Sequence, residues 1–255
     1  MVELKTAAEL AIMREAGRVV AMGLRACRDA AAVGVSLLEL DEVAAAVLAE
    51  HGATSPFKDY LPHFAPTPFP AVICASVNDV IVHGIPGGYR LRDGDLVSID
   101  FGAGLGGFHG DAAVSFTVGT AAPADEELIA TTQRALDAGI AAAQPGGRLG
   151  DIGHAVGTVG RAAGYGIPQD FGGHGIGRRM HEDPSVPNEG SRGRGLPLRE
   201  GLVLAIEPMF MAGGQDKYTT DDDGWALRTP DGSRAAHIEH TVAITGDGPV
   251  VMTAL

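Results

Sequence analysis

Two decamers in this chain align without a gap, and each ends on a carboxylate: residues 91–100 read LRDGDLVSID and residues 198–207 read LREGLVLAIE. Leu, Arg, Gly and Ile are shared, and acids match at the third and tenth positions, Asp93 with Glu200 and Asp100 with Glu207. The echo extends in both directions. Asp111 opens DAAVSFT where Glu239 opens EHTVAIT, and His83-Gly84-Ile85 recurs as His174-Gly175-Ile176. Residues 34–52 are echoed by 146–164 through Leu37 with Leu149, Leu40 with Ile152 and Val47 with Val159. Matches this short arise singly by chance, but four in the same order point to a duplicated unit. The chain therefore reads as a single domain over residues 1–255, built from two related halves of about 1–120 and 121–255. Two copies do not make a solenoid, which buries its core by stacking three or more short repeats.

With 45% hydrophobic residues among 255, the chain can fill one sizeable core. A formal net charge of -13 disfavours a nucleic-acid partner, because phosphate binding draws on a basic face and the release of counterions. Cys27 and Cys74 make no disulfide framework, and the opening MVELKTAAELAIMREAG lacks the apolar centre of a signal peptide. No apolar run approaches the roughly 18 residues of a membrane span. A cytoplasmic protein without membrane or nucleic-acid binding of its own is expected.

Apolar spacing through Leu10, Met13, Ala16, Val20 and Leu24 predicts a helix over 7–32, and Ser36 with Glu39 forms a capping box opening a second. Further helices are predicted over 124–144 and 151–163. Residues 96–102 alternate as a strand, with Val97, Ile99 and Phe101 on one face and Ser98, Asp100 and Gly102 on the other. Glycines at 104–107 can turn the chain, and the returning strand puts Asp111, Ala113 and Ser115 together. Asp100 and Asp111 then face each other across a hairpin. Glu207, ending a strand, and Glu239, in a strand over 237–245, are expected to form the corresponding pair.

Four carboxylates gathered in a sheet interior repel, and some stay protonated unless cations compensate them. Two divalent ions balance the four charges. Carboxylate oxygens with one imidazole suit Mn, Fe, Co or Zn, and bridging carboxylates are what a two-metal site requires. His174, uncrowded among glycines 172–177, is the natural nitrogen ligand. Duller readings exist for each residue. Asp100 alone reads as a strand-end turn residue, but its register with Glu207 overturns that. The glycine run is a poor dinucleotide loop because no helix follows it: RRMHEDP is stopped by Pro184. HEDP is no HExxH zinc motif, since no second His follows. His109 reads as structural, orienting the turn. A lone His is usually core or surface, yet His83 shares its motif with His174 and is assigned to the site.

Taken together, His83-Gly84-Ile85-Pro86, Asp100, Asp111 within FHGD, Gly173-His174-Gly175-Ile176-Gly177, Glu207-Pro208 and Glu239-His240-Thr241 resemble the type I methionine aminopeptidases, over nearly the whole chain. The short His181 to Glu207 spacing leaves no room for the type II insertion, and with no zinc-finger extension a bacterial short form is the nearest match. The resemblance implies an α+β pita-bread fold, two pseudo-symmetric halves with a central antiparallel sheet flanked by helices. It implies a dinuclear site of Asp100, Asp111, His174, Glu207 and Glu239, with Asp111 and Glu239 bridging two ions. By the same resemblance a metal-held hydroxide is expected to attack the first peptide carbonyl, with Glu207 shuttling the proton, His83 beside the scissile bond and His181 hydrogen-bonding the peptide. The implied substrate is the N-terminal methionine of nascent chains with a small second residue, with room for ribosome proximity and a monomeric enzyme.

The residues aligned with the family's methionine pocket are Phe69, Cys74, Met180 and Trp225, with His83 at its edge; their types suit a thioether. By type alone Phe69 and Met180 read equally well as core. The sequence departs from the family at Met180, often Phe, at Gly172, often Cys, and at 62–70, which replaces an aromatic-rich segment. At His237 the family often has Gln. That residue shares the strand face of Glu239, placing it either to tune the bridging carboxylate from behind or to touch a metal. Two other readings stay open: an Xaa-Pro aminopeptidase or prolidase, which shares the five ligands but usually carries a further N-terminal domain, and a non-enzymatic binding protein of the same fold.

Overall fold

In the computed structural model, residues 2–63 and 65–254 are described. Helix α1 (Ala7–Ala30) starts at a capping box of Thr6 and Glu9 and buries Met13, Ala16, Val20, Leu24 and Cys27. Helix α2 (Leu37–Glu50) has the expected box of Ser36 and Glu39. Strands β1 (Ile73–Val77), β2 (Val80–Val82), β3 (Leu96–Leu105) and β4 (Phe108–Thr117) complete the first part. Helices α3 (Pro123–Ala142) and α4 (Leu149–Ala162) open the second, followed by β5 (Gly172–Gly175), β6 (Glu182–Pro187), β7 (Val203–Ile206) and β8 (Met209–Met211). The short β9 (Thr219–Thr220), β10 (Leu227–Arg228) and β11 (Ala235–His237) lead to β12 (Glu239–Thr245) and β13 (Gly248–Val251). Both parts thus run helix, helix, strands. No described helix is long and apolar enough to cross a membrane.

The main sheet is antiparallel, in the order β1-β3-β4-β12-β7-β5-β6, with β13 also on β12, so strands from the two parts meet at β4 and β12. Period-two alternation sorts its faces. Val97, Ile99, Phe101 and Ala112 pack with α1 and α2 in one core cluster. Leu204, Ile206, Val242 and Ile244 pack with Leu128, Leu136, Ile152 and Val156 of α3 and α4 in another. The helices therefore cover the apolar face. The contact is close: a Cβ on Gly23 of α1 would strike the Phe101 ring, and one on Gly139 of α3 would crowd Val156.

Two expectations need correction. The strand predicted over 96–102 runs on to Leu105 and its partner starts at Phe108, so the two-residue turn lies at Gly106 and Gly107, whose φ of 59° and 81° suit a hairpin turn open to glycine. The predicted strand over 237–245 is broken: His237 pairs with Met209 of β8, while Glu239 pairs with Ala113 of β4. Between them Ile238 is buried and its N–H donates to the Pro208 carbonyl.

Candidate active site

The face opposite the helices carries the acids, and the register explains how. Cys74 is opposite Asp100, Asp100 is opposite Ala113, and Ala113 is opposite Glu239, so one row crosses β1, β3, β4 and β12. Residues opposite one another in a ladder share a face. Asp111, opposite Gly102, lies diagonal to Asp100 on that face, so the two aspartates are neighbours rather than a directly opposed pair. Thr241 locks the junction: its hydroxyl accepts from the Asp111 N–H at 3.0 Å and donates to the Asp111 carbonyl at 2.8 Å. Glu207 follows β7, its carbonyl held by the Asn188 amide at 2.9 Å.

His174 on β5 completes the group. Its Nε2 is 3.8 Å from Asp111 Oδ2 and 3.9 Å from Glu207 Oε1, while its Nδ1 lies 2.9 Å from the Gly175 carbonyl, which favours Nδ1–H and turns an Nε2 lone pair toward the acids. Glycine is required beside it, because a Cβ on Gly173 would collide with the Ala205 carbonyl of β7. One ligand atom from each of Asp111, His174 and Glu239 falls within 4.8 Å of the others, as does one from each of Glu207, His237 and Glu239.

The electrostatics of this cluster call for cations. Desolvation first, and then the neighbouring acids, push the Asp100 and Glu239 carboxyls well above their ordinary range. Asp111 is pushed up to about 8 by burial and by Glu207, and Glu207 to about 8 by burial. Asp100 Oδ1, Asp111 Oδ1 and Glu239 Oε1 are buried without a hydrogen-bond partner among the described residues. Unpartnered buried carboxylate oxygens beside a desolvated imidazole fit divalent ions of the Mn, Fe, Co and Zn group.

These residues, His237 apart, open into a cavity of about 220 Å³ whose walls also include Phe69, Cys74, His83, Met180, His181 and Trp225, so the five expected ligands, the two peptide-contacting histidines and the pocket residues are brought to one place. Phe69 and Trp225 meet edge to face at 5.0 Å, and the indole N–H donates to the Thr67 carbonyl at 3.0 Å, which pins Thr67 and Phe69 of the divergent segment against the site. His83 stands edge-on to Trp225 at 6.2 Å, with a left-handed φ of 60° that is uncommon for a residue with a Cβ. The next residue must be glycine, since a Cβ there would strike the Ala75 carbonyl. Desolvation lowers His83 and His174 to about 4, keeping both rings neutral. His181, at the exposed rim, lies between Tyr60, stacked at 5.2 Å, and His174 at 4.3 Å; loss of water from the ring holds it below the usual imidazole range. His109 Nδ1 lies 3.1 Å from the Gly177 carbonyl, tying the β3–β4 hairpin to the loop that follows His174.

Phe57, Tyr60, Phe171 and Met209 also line the cavity, and the sequence carried no sign of them. Tyr60 and Phe57 sit in an irregular loop without periodicity, and only the fold brings them over the site.

The sequence profile of metallopeptidase family M24 matches residues 11–246. The methionine aminopeptidase 1 of Mycobacterium tuberculosis is 53% identical, over 98% of this chain and 94% of its own length. That of Bacillus subtilis is 42% identical over 99% of each. The crystal structure of a Thermotoga maritima methionine aminopeptidase superposes with a TM-score of 0.95 at 37% identity, covering both chains fully. A prolidase from Pyrococcus furiosus shares the fold alone, with a TM-score of 0.76 at 22% identity and 65% of its length covered. The fold and site define a pita-bread metallohydrolase: the chain belongs to metallopeptidase family M24 and, within it, to the methionine aminopeptidases.

Proposed function

We propose that this chain is a dinuclear-metal aminopeptidase that removes the initiator methionine from nascent proteins whose second residue is small. The observation that carries the reading is the convergence of Asp100, Asp111, His174, Glu207 and Glu239 in one cavity with Phe69, Cys74, Met180 and Trp225, an acid cluster beside an apolar slot suited to a thioether. Two divalent ions, when bound, supply Lewis acidity and a strong nucleophile near neutral pH. Asp100, Asp111, His174, Glu207 and Glu239 would hold them, their buried carboxylate oxygens and the His174 Nε2 being turned into the cavity.

The remaining groups act on the peptide. Glu207 takes and returns the proton as general base and then acid. His83 and His181 are neutral imidazoles, so each offers a hydrogen bond to the peptide without adding a positive charge beside the ions. His83 lies near the scissile bond and His181 at the rim, backed by Tyr60. We take the enzyme to be a cytoplasmic monomer that meets nascent chains near the ribosome.

Turnover of Met-Ala-Ser against Xaa-Pro peptides and against Met peptides with a bulky second residue tests the reading. Met-Ala-Ser is expected to be preferred, with Glu207→Ala close to inactive. Preferred cleavage of Xaa-Pro bonds supports the prolidase alternative instead, and near-normal turnover by Glu207→Ala overturns the residue assignments.

A further inference from the structure

One buried nitrogen at this centre has no role among the five expected ligands. His237 is 2% exposed, and its Nε2 has no hydrogen-bond partner among the described residues. That atom is aimed into the cluster, 3.2 Å from Glu207 Oε2 and 3.7 Å from Glu239 Oε2. At 3.2 Å it is close enough to share a proton with Glu207, yet no hydrogen bond joins them. A polar nitrogen buried without a partner is costly, which points to something absent from the protein itself. Ligand atoms of one ion with bonds of about 2.0–2.2 Å stand roughly 3.0–3.5 Å apart, so 3.2 Å is a ligand–ligand spacing and 3.7 Å needs only slight closing.

The backbone holds the ring there. Ser115 donates its hydroxyl to the His237 carbonyl at 2.8 Å and accepts the His237 N–H at 3.0 Å, and Ser98 backs it through a 2.7 Å hydroxyl pair. Both serines lie on the acid-bearing face of the β3–β4 hairpin, so the same strands that place Asp100 and Asp111 fix His237. His174 approaches Glu207 Oε1 while His237 approaches Oε2, and one carboxylate lies between two imidazoles.

We infer that His237 is a sixth protein ligand, a second imidazole on the ion shared by Glu207 and Glu239. The inference rests on the two-metal reading above and adds a consequence to it. A second imidazole favours Zn or Co over Mn, which prefers carboxylate and water. The centre then discriminates among divalent ions more sharply than one imidazole allows.

Crystals of the full chain loaded with Zn, and separately with Mn, test this through anomalous difference maps. A Zn peak about 2.0–2.2 Å from His237 Nε2 is expected. Peaks among the five expected residues with Nε2 beyond about 3 Å overturn the inference and leave the two-metal reading intact. No peak among those five overturns the two-metal reading itself. In solution, competition titrations of His237→Gln and His237→Asn should show Zn affinity falling about tenfold or more beyond any loss for Mn. Equal losses for the two ions contradict ligation. Thermal melts of the metal-free variants check folding, and if neither variant folds the crystallographic distance decides.

Discussion

Ala113→Val probes the row that crosses the sheet. Ala113 is fully buried and stands opposite both Asp100 and Glu239. Opposed Cβ atoms in antiparallel strands are about 4.5–5.5 Å apart, so the Asp100 and Glu239 Cβ atoms lie roughly 10 Å apart with only a methyl group between them. Any ion held by both acids occupies the space above that methyl. Valine suits a strand backbone but adds two methyl groups to this floor. Overpacking of this kind costs about 1–3 kcal/mol. If the cost falls on the ion-loaded state, binding weakens roughly 5- to 150-fold at 1.4 kcal/mol per factor of ten. Competition titration against a chelator measures the affinity, and melts of the ion-free protein show whether the fold itself is affected. Unchanged affinity in a folded Ala113→Val protein would refute the placement of the ions over Ala113.

Two further outcomes follow from groups around the site. Asp111 and Glu207 have folded-state carboxyls near 8, above their ordinary values, so their contribution to stability is present at low pH and is lost as pH rises toward 8. The lowered His83 and His174 act in the opposite sense, but only below about 6.5. Between pH 6.5 and 8 the Tm of chelator-treated protein should therefore fall with rising pH, and added Mn or Zn should reverse the fall; a flat profile contradicts the acid cluster. Lys5 Nζ pairs with Glu182 Oε2 at 2.7 Å with both side chains almost fully buried, next to the loop that bears His181. Lys5→Met leaves that carboxylate uncompensated and should lower stability by about 3 kcal/mol in chemical denaturation, with Glu182→Gln recovering part of it.

What could be read from the sequence was local or periodic. The capping boxes at Ser36 and Thr6 are four-residue patterns, and the first was legible directly. The faces of β3 and β4 follow from alternation, and the repeat of Asp100 in Glu207 marks both acids in the sequence alone. The strand ends were not legible, because Gly102 and Gly104 weaken the strand signal although each lies against another element: a Cβ on either would meet Pro56 or Thr54. Nor was the diagonal offset of Asp100 and Asp111, since register depends on where the turn falls. The row from Cys74 to Glu239 joins strands 165 residues apart in number, and no local pattern encodes it. His237 was visible as two residues before Glu239, but its approach to Glu207 depends on the break at Ile238 that sends β11 to a different partner. Tyr60 over His181 is the same kind of contact, made by an irregular loop.

A metal centre acting on N-terminal methionine makes turnover depend on the ions bound. Titrating metal-free protein with Mn, Fe, Co or Zn, while measuring Met-Ala-Ser turnover and bound metal on the same samples, puts that dependence to the test. Turnover is expected to be absent without metal and to rise as ions fill the centre, with chelator reversing it. Full turnover by protein carrying no metal, or none from protein carrying two ions per chain, would contradict it.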